Sequence, residues 1–199
     1  MNVQTSSLRA AVPVKPAPSK LSHVVLNTAR FEEMKAFYAT VLCAKPAYEN
    51  EMIHFMTYDD EHHRLGLINK PGLADTDSGR AGLEHIAFTY PTLELLLAAY
   101  VHNKDQGIVP FWPIIHGPTV SLYYHDPDGN KIEFQYDVFP DQAGVDAFMD
   151  SGAYDENFIG IIFDPDKMVE DLEAGKPVED IVRRPRLPEG VSPWDMIRD

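Results

Sequence analysis

The sequence predicts an α+β protein made of two copies of one βαβββ unit, followed by a helical C-terminal extension. The first observation is an internal repeat, because a short strand pattern followed by a helical pattern occurs twice. The second is spacing: His23 and His85 are 62 residues apart, and each stands 15 residues before a tyrosine of the next predicted helix, Tyr38 or Tyr100. We expect the two units to lie side by side.

The first unit is predicted to span residues 21–70. Its opening segment, 21–27, is β-branched and predicts a strand, whereas 31–42 places its apolar side chains on one helical face. Three short strands complete the unit, at 45–49, 52–58 and 64–69. Residues 71–82 are rich in Gly, Asp and Ser, so we expect a linker there.

The second unit is predicted to span residues 83–138. It consists of a strand at 83–89, a helix at 92–103 with Thr92 as N-cap, and strands at 107–112, 120–125 and 131–137. Residues 139–199 lack this pattern and predict an acidic, mainly helical tail that covers the core or forms a subunit contact, which makes a homodimer an expectation. Residues 1–20, rich in Ala, Pro and Lys, predict a flexible leader.

The composition limits the functional classes. The 199 residues carry a net charge of -14, and residues 141–199 alone hold 15 acidic and 6 basic side chains. Such a chain is not expected to bind nucleic acid or an anionic membrane. The single cysteine, Cys43, rules out an intrachain disulfide, and no apolar run reaches transmembrane length. We therefore expect a cytoplasmic protein.

Two histidines occupy equivalent places in the repeat. His23 and His85 each stand on the predicted first strand of a unit. A lone histidine there is most often a buried, hydrogen-bonded core residue. Two at matching positions favour a shared site, because approximate two-fold packing would bring both imidazoles to one spot. Two histidines and a carboxylate form the ligand set of mononuclear iron(II) sites with open positions.

The segment SLYYHDPDGNKIEFQYD, residues 121–137, supplies a candidate carboxylate, Glu133. The Asp-Pro-Asp-Gly turn favours a type I turn followed by a left-handed glycine, which makes a three-residue hairpin loop. This loop places Tyr123 opposite Glu133, whereas a two-residue loop would place Tyr124 there. The alternative for Glu133 is a solvent-facing strand carboxylate, with its two neighbours on the core face.

Three further histidines are candidates, although each alone is most often an ordinary loop residue. His62 and His63 precede a predicted strand in HHRLGLIN, and His116 stands in IIHGPT. Trp112, shortly before His116, is expected to line a pocket.

Residues 21–137 resemble the one-domain type I extradiol ring-cleaving dioxygenases of the vicinal oxygen chelate superfamily, which also includes glyoxalase I. The resemblance rests on the two strand histidines, the HH-x-L-x-L segment, the S-[FL]-Y segment ten residues before a glutamate, and the Asp-Pro-x-Gly turn. It implies paired βαβββ modules that form a cupped mixed sheet around a metal site.

The resemblance also implies roles for individual residues. His23, His85 and Glu133 match the metal ligands of the family, for which Fe(II) is the expected cofactor, although the same ligands accept Mn(II). His63 matches the catalytic acid–base histidine, and Tyr123 a hydroxyl that hydrogen-bonds a substrate oxygen.

Three other residues have expected supporting roles. His116 matches a further catalytic histidine, although its distance in sequence from Tyr123 is shorter than the family pattern. His62 and Trp112 are expected to contact the substrate.

The implied reaction is ring cleavage of a catechol-type aromatic diol by O2, beside the two hydroxyl groups. One alternative is a glyoxalase-like metal-dependent lyase or isomerase. Such enzymes use a fourth protein ligand on the last strand of the first module, where this chain offers Leu65, Leu67 and Ile68. Another alternative is a small-molecule-binding protein without catalysis, which would not need His63, His116 and Tyr123 together.

Overall fold

The structure is a computed structural model that describes residues 17–74 and 81–199. Most of the predicted leader, residues 1–16, and half of the predicted linker, residues 75–80, lie outside the described residues. The rest forms two sheets, one from each half of the repeat.

The first half of the repeat forms a four-stranded sheet with the strand order β1-β4-β3-β2. The first strand pairs in parallel with the last, and the other pairs are antiparallel. Its elements are β1 (Val24–Thr28), α1 (Phe31–Val41), β2 (Lys45–Glu49), β3 (Ile53–Thr57) and β4 (Leu65–Asn69).

The second half repeats this topology. Its first and last strands are again parallel neighbours, in the order β5-β8-β7-β6. The elements are β5 (His85–Tyr90), α2 (Leu93–Asp105), β6 (Trp112–Ile115), β7 (Thr119–His125) and β8 (Lys131–Asp137). The predicted fold class, α+β with paired βαβββ units, is confirmed.

Each helix covers one face of its sheet. In α1 the buried residues Phe31, Met34, Tyr38 and Val41 recur at helical spacing, and Thr92 caps α2 by accepting a hydrogen bond from Leu95 N. Because side chains alternate along a strand, one face of the β7–β8 hairpin is buried in the core and the other is left for polar groups. Its core-facing residues are Leu122, Tyr124, Ile132 and Phe134.

The hairpin turn has the predicted geometry. Gly129 N donates to Asp126 O at 2.9 Å, and Gly129 adopts a left-handed φ of 84°. The ladder places Tyr123 directly opposite Glu133, as the three-residue loop requires. Both side chains therefore lie on the face that points away from the core.

The strand predicted at 107–112 is wrong, because β6 begins only at Trp112. The preceding residues complete the end of α2. Gly107 has a φ of 78°, Gly107 N donates to Lys104 O, and Ile108 N donates to Asn103 O, each at 2.9 Å. These bonds pair the backbone N–H groups of Gly107 and Ile108 with carbonyls of the last helical turn, so these residues do not form a β-strand.

The tail after β8 adds helices and one strand. The two residues of β9 (Ile161–Ile162) pair antiparallel with β6 and become the fifth strand of the second sheet. The helical elements are α3 (Gln142–Asp150), α4 (Ala153–Glu156), α5 (Pro165–Glu173), α6 (Val178–Ile181) and a 3-10 turn (Pro193–Met196). Over the described ranges, no helix combines the length and apolar character that crossing a membrane demands.

Candidate metal and substrate site

Four of the predicted site residues converge on the polar face of the second sheet. His85 Nε2 lies 3.0 Å from the Glu133 carboxylate, which is 5% exposed. The Tyr123 side chain stands opposite Glu133 in the ladder, and its hydroxyl lies 3.2 Å from His116 Nε2. The shorter sequence gap before Tyr123 therefore does not keep His116 from reaching it.

Burial sets the charge state of two of these groups. Burial, followed by the nearby charge of Glu133, raises the pKa of Tyr123 well above its ordinary value, so its phenol keeps its proton. Burial lowers the pKa of His116, which favours the neutral imidazole. A neutral histidine beside a protonated phenol is suited to hydrogen bonding and proton transfer.

The remaining predicted histidines form a second group, beside the first residues of the parallel strands β1 and β4. His23 lies immediately before β1 rather than within it, and His62 and His63 lie just before β4. The imidazole of His63 is stacked between His23, at a ring distance of 4.2 Å, and Phe55, at 4.4 Å. The pKa of His63 is lowered by burial and then by the charges of His23 and His62.

The predicted metal ligands are divided between the two groups: His85 and Glu133 lie in the first group, and His23 lies in the second. Over residues 17–74 and 81–199, one set of His, Cys, Asp or Glu side chains has all its ligand atoms within 4.8 Å of one another, and it is His23, His62 and His63. The structure thus brings His85 to Glu133, whereas it groups His23 with the predicted acid–base histidine.

Trp112 borders the first group. Its indole lies 4.8 Å from the Tyr123 ring and 5.8 Å from the His116 ring, measured between centroids. The indole N–H donates to Met196 O at 2.7 Å, so the end of the tail fixes the orientation of this aromatic wall.

Strand register identifies the position in the first sheet that corresponds to Glu133. Glu133 lies opposite Ala87 of the parallel strand β5, and in the first sheet Gly66 lies opposite Val25 of β1 in the same way. Gly66 offers no ligand, and a Cβ there would come within 3.1 Å of the Phe55 ring. The position at which a fourth protein ligand would stand is therefore occupied by Gly66, which the Phe55 ring covers.

Sequence analysis missed several residues that contact the site. Phe55 stacks on His63, and the carbonyl of Ile159 contacts His116 Nδ1. Phe55 lies inside the predicted strand 52–58, but nothing in that strand's sequence indicates a contact with His63. Ile159 carried none, because it contacts His116 through its backbone and is 43 residues away in the chain.

The chain belongs to the Glyoxalase/Bleomycin resistance protein/Dioxygenase superfamily, whose sequence model matches residues 20–134. The match covers the first sheet, the second sheet from β5 to the middle of β8, and every residue of the two groups. It agrees with the repeated βαβββ topology and with the resemblance noted in the sequence.

Two curated relatives indicate a narrower class of protein than the superfamily model does. The chain is 46% identical over 166 residues to biphenyl-2,3-diol 1,2-dioxygenase 2 of Rhodococcus globerulus, covering 83% of this chain and 87% of the relative. It is 40% identical over 167 residues to biphenyl-2,3-diol 1,2-dioxygenase 3 of the same organism, covering 83% and 88%. The alignments extend well beyond the superfamily match into the tail or the leader.

Among solved structures, the glyoxylase/bleomycin resistance protein/dioxygenase domain from Frankia sp. EAN1pec superimposes with a TM-score of 0.51 at 20% identity. The alignment covers 61% of this chain and 99% of that domain. At this identity the comparison supports the fold alone.

Proposed function

We propose that this protein is an extradiol ring-cleaving dioxygenase, which opens a catechol-type aromatic diol beside its hydroxyl groups and adds both atoms of O2. The observation that carries the proposal is the convergence of His85, Glu133 and Tyr123 with His116 on one polar sheet face. The 46% identity to a biphenyl-2,3-diol 1,2-dioxygenase supports the same reaction class.

The proposed metal ligands are His23, His85 and Glu133, and the proposed ion is Fe(II). His85 Nε2 and the Glu133 carboxylate lie 3.0 Å apart, so both could donate to one ion, and imidazole with carboxylate is the donor set that iron(II) accepts. When bound, the ion would hold both reactants and lower the pKa of a diol hydroxyl.

The other residues would orient the substrate and move protons. Tyr123, protonated and buried, can hydrogen-bond a substrate oxygen, and His116 lies beside it. His63, with its pKa lowered, is available as an uncharged base. We propose His62 and Trp112 as substrate contacts.

The substrate class is proposed from the names of the relatives. Both are biphenyl-2,3-diol dioxygenases, so biphenyl-2,3-diol is the first compound to test. The rings of Trp112 and Phe111, both near Tyr123, could provide aromatic contacts for it.

Gly66 argues against a glyoxalase-like reaction. An enzyme with four protein ligands would need a donor at that position, and glycine supplies none. Three ligands leave open positions for a chelating diol and O2.

The experiment that tests the reaction is O2 uptake after anaerobic loading with Fe(II). We expect one O2 consumed per biphenyl-2,3-diol, with a coloured ring-opened product. Catechol and biphenyl-2-ol, which lacks the second hydroxyl, serve as comparison substrates, and biphenyl-2-ol should give no uptake. Absence of uptake with every diol would reject the proposal.

A panel of variants tests the ligand set separately. We expect His23→Ala, His85→Ala and Glu133→Ala to lose bound iron. In contrast, His62→Ala and His63→Ala should keep it, and His63→Ala should lose turnover. An ion held instead by the three-histidine group would be lost from His62→Ala and His63→Ala and retained by His85→Ala and Glu133→Ala, whereas His23→Ala would lose iron in both cases.

A further inference from the structure

The imidazole of His116 is held between two partners that constrain where its proton lies. Nδ1 is in close contact with the carbonyl oxygen of Ile159, and Nε2 lies 3.2 Å from the Tyr123 hydroxyl. A carbonyl oxygen can only accept a hydrogen bond, so Nδ1 must donate. With the proton on Nε2 instead, two lone pairs would face each other at Nδ1.

The location of this proton decides what Tyr123 does. Its hydroxyl has one proton and lies 3.2 Å from His116 Nε2, and the Glu133 side chain stands opposite Tyr123 in the ladder. A neutral His116 protonated at Nδ1 has a bare Nε2, which can only accept. Tyr123 then donates its one proton to His116, and Glu133 keeps its contact with His85 Nε2. Burial lowers the pKa of His116, which disfavours the doubly protonated ring that could donate to both sides.

The Ile159 carbonyl belongs to a rigid turn of the tail. The Asn157 side chain, 3% exposed, accepts from Ile159 N at 3.1 Å and Gly160 N at 2.9 Å, and it donates to Gly160 O at 2.8 Å. Gly160 has a φ of 128°, and a Cβ there would lie 2.5 Å from Ile115 O. The turn thus packs directly against the end of β6, beside His116.

Arg184 ties this turn to the backbone of His116. Its guanidinium donates to His116 O at 3.0 Å, to Asn157 O at 2.6 Å and to Ala153 O at 2.6 Å. It also lies over the Phe148 ring at 5.0 Å. One planar group with several fixed donors therefore joins three backbone carbonyls from two parts of the chain.

We propose that the turn at residues 157–160, held by Asn157 and Arg184, fixes the ring proton of His116 on Nδ1, so that Nε2 is an acceptor facing Tyr123. Asn157 and Arg184 are positioning residues, since they act through His116. The proton location stands independently of the reaction, whereas its consequence for turnover rests on the proposed function. The tail thereby becomes part of the site.

The direct test is nitrogen-15 NMR of full-length protein labelled at histidine, with Zn(II) supplied as a diamagnetic ion. Long-range proton–nitrogen correlations identify the protonated ring nitrogen, and His116→Gln assigns the signals. We expect the proton on Nδ1 in the wild type. A proton on Nε2 would overturn the proposal without bearing on whether the protein cleaves diols.

Variants test the positioning role. Asn157→Ala and Arg184→Met should move a substantial fraction of His116 to the Nε2-protonated form and lower kcat roughly tenfold with little change in KM. Arg184→Lys should restore part of the wild-type signal. Lys167→Met, which breaks an exposed ion pair elsewhere in the tail, is the matched control and should change neither readout. Folded Asn157→Ala and Arg184→Met proteins with the wild-type proton pattern would refute the role of the turn.

Discussion

At the scale of single residues, the choice between two adjacent tyrosines is decided by strand register. Tyr123 lies opposite Glu133 on the polar face, and Tyr124 is fully buried on the core face. The sequence predicted this outcome because the Asp-Pro-Asp-Gly turn fixes the loop length, and loop length fixes which side chains share a face. The same argument could not identify the partners of Tyr123 beyond the hairpin.

Removing the Tyr123 hydroxyl should affect turnover more than folding. We expect Tyr123→Phe to lower kcat about 100-fold, because the phenol no longer hydrogen-bonds the substrate or His116, while bound iron is retained. Steady-state kinetics and iron content measure the two effects. Tyr124→Phe is the matched control and should keep wild-type kcat. Equal kcat in both variants would contradict the assignment of Tyr123.

The residues around His116 show where sequence reasoning stops. Its position near Tyr123 followed from a family pattern, but its contact with Ile159 runs through a backbone carbonyl. Any residue type can supply a backbone carbonyl, so this contact does not constrain the amino acid at position 159. Asn157 and Arg184 appear in the sequence as an ordinary loop residue and one of several tail arginines, so their roles depend on tertiary structure.

At the scale of elements, β2 and β8 were predicted with the bounds that the structure gives them. The failures are β6 and β9. Helix α2 ends at Asp105 and is closed by the left-handed Gly107, so the residues predicted as a strand form the helix terminus. A two-residue strand such as β9 forms only because β6 offers an edge, and it has no periodicity of its own.

The hairpin turn should be sensitive to substitution of its left-handed glycine. We expect Gly129→Ala to lower the free energy of unfolding by about 1–2 kcal/mol, since a left-handed φ is unfavourable for alanine. It should also lower kcat roughly tenfold, because small shifts of Tyr123 against Glu133 impair the site.

Gly107→Ala provides the control for that prediction. Gly107 has a similar φ of 78°, and a Cβ there meets nothing within 4 Å. We expect a similar loss of stability in denaturant unfolding, with kcat unchanged. A Gly129→Ala enzyme as active as the Gly107→Ala enzyme would show that the turn does not control the site.

At the scale of the whole molecule, the two repeats are joined by a buried hydrogen bond. Tyr38 on α1 donates to Asp126 in the β7–β8 turn at 2.8 Å, and Arg30 donates to Pro127 O at 3.0 Å. The helix of the first unit therefore supports the turn that aligns the site of the second. The repeat could be predicted from sequence, but this contact between the units could not.

Tyr38→Phe should weaken the whole fold. We expect the free energy of unfolding to fall by about 1–3 kcal/mol, because the buried Asp126 carboxylate loses a donor. Denaturant unfolding monitored by circular dichroism measures the change. Tyr48→Phe, at a position 54% exposed, should be nearly neutral. An equal effect of both substitutions would argue against the bond between the units.

The arrangement of the two units also limits what the sequence could establish about the metal. Matching strand positions predict that His23 and His85 share one ion, and this stays a prediction; the structure groups His23 with His62 and His63. The homodimer expected from the tail stays a prediction, as does the cytoplasmic location.

The structure of the product from biphenyl-2,3-diol tests the central claim most directly. After anaerobic loading with Fe(II) and exposure to O2, NMR and mass spectrometry should identify a product that contains both oxygen atoms. The broken bond should join a hydroxyl-bearing carbon to its neighbour outside the diol. A diacid from cleavage between the two hydroxyl-bearing carbons, or a quinone with an intact ring, would contradict the account.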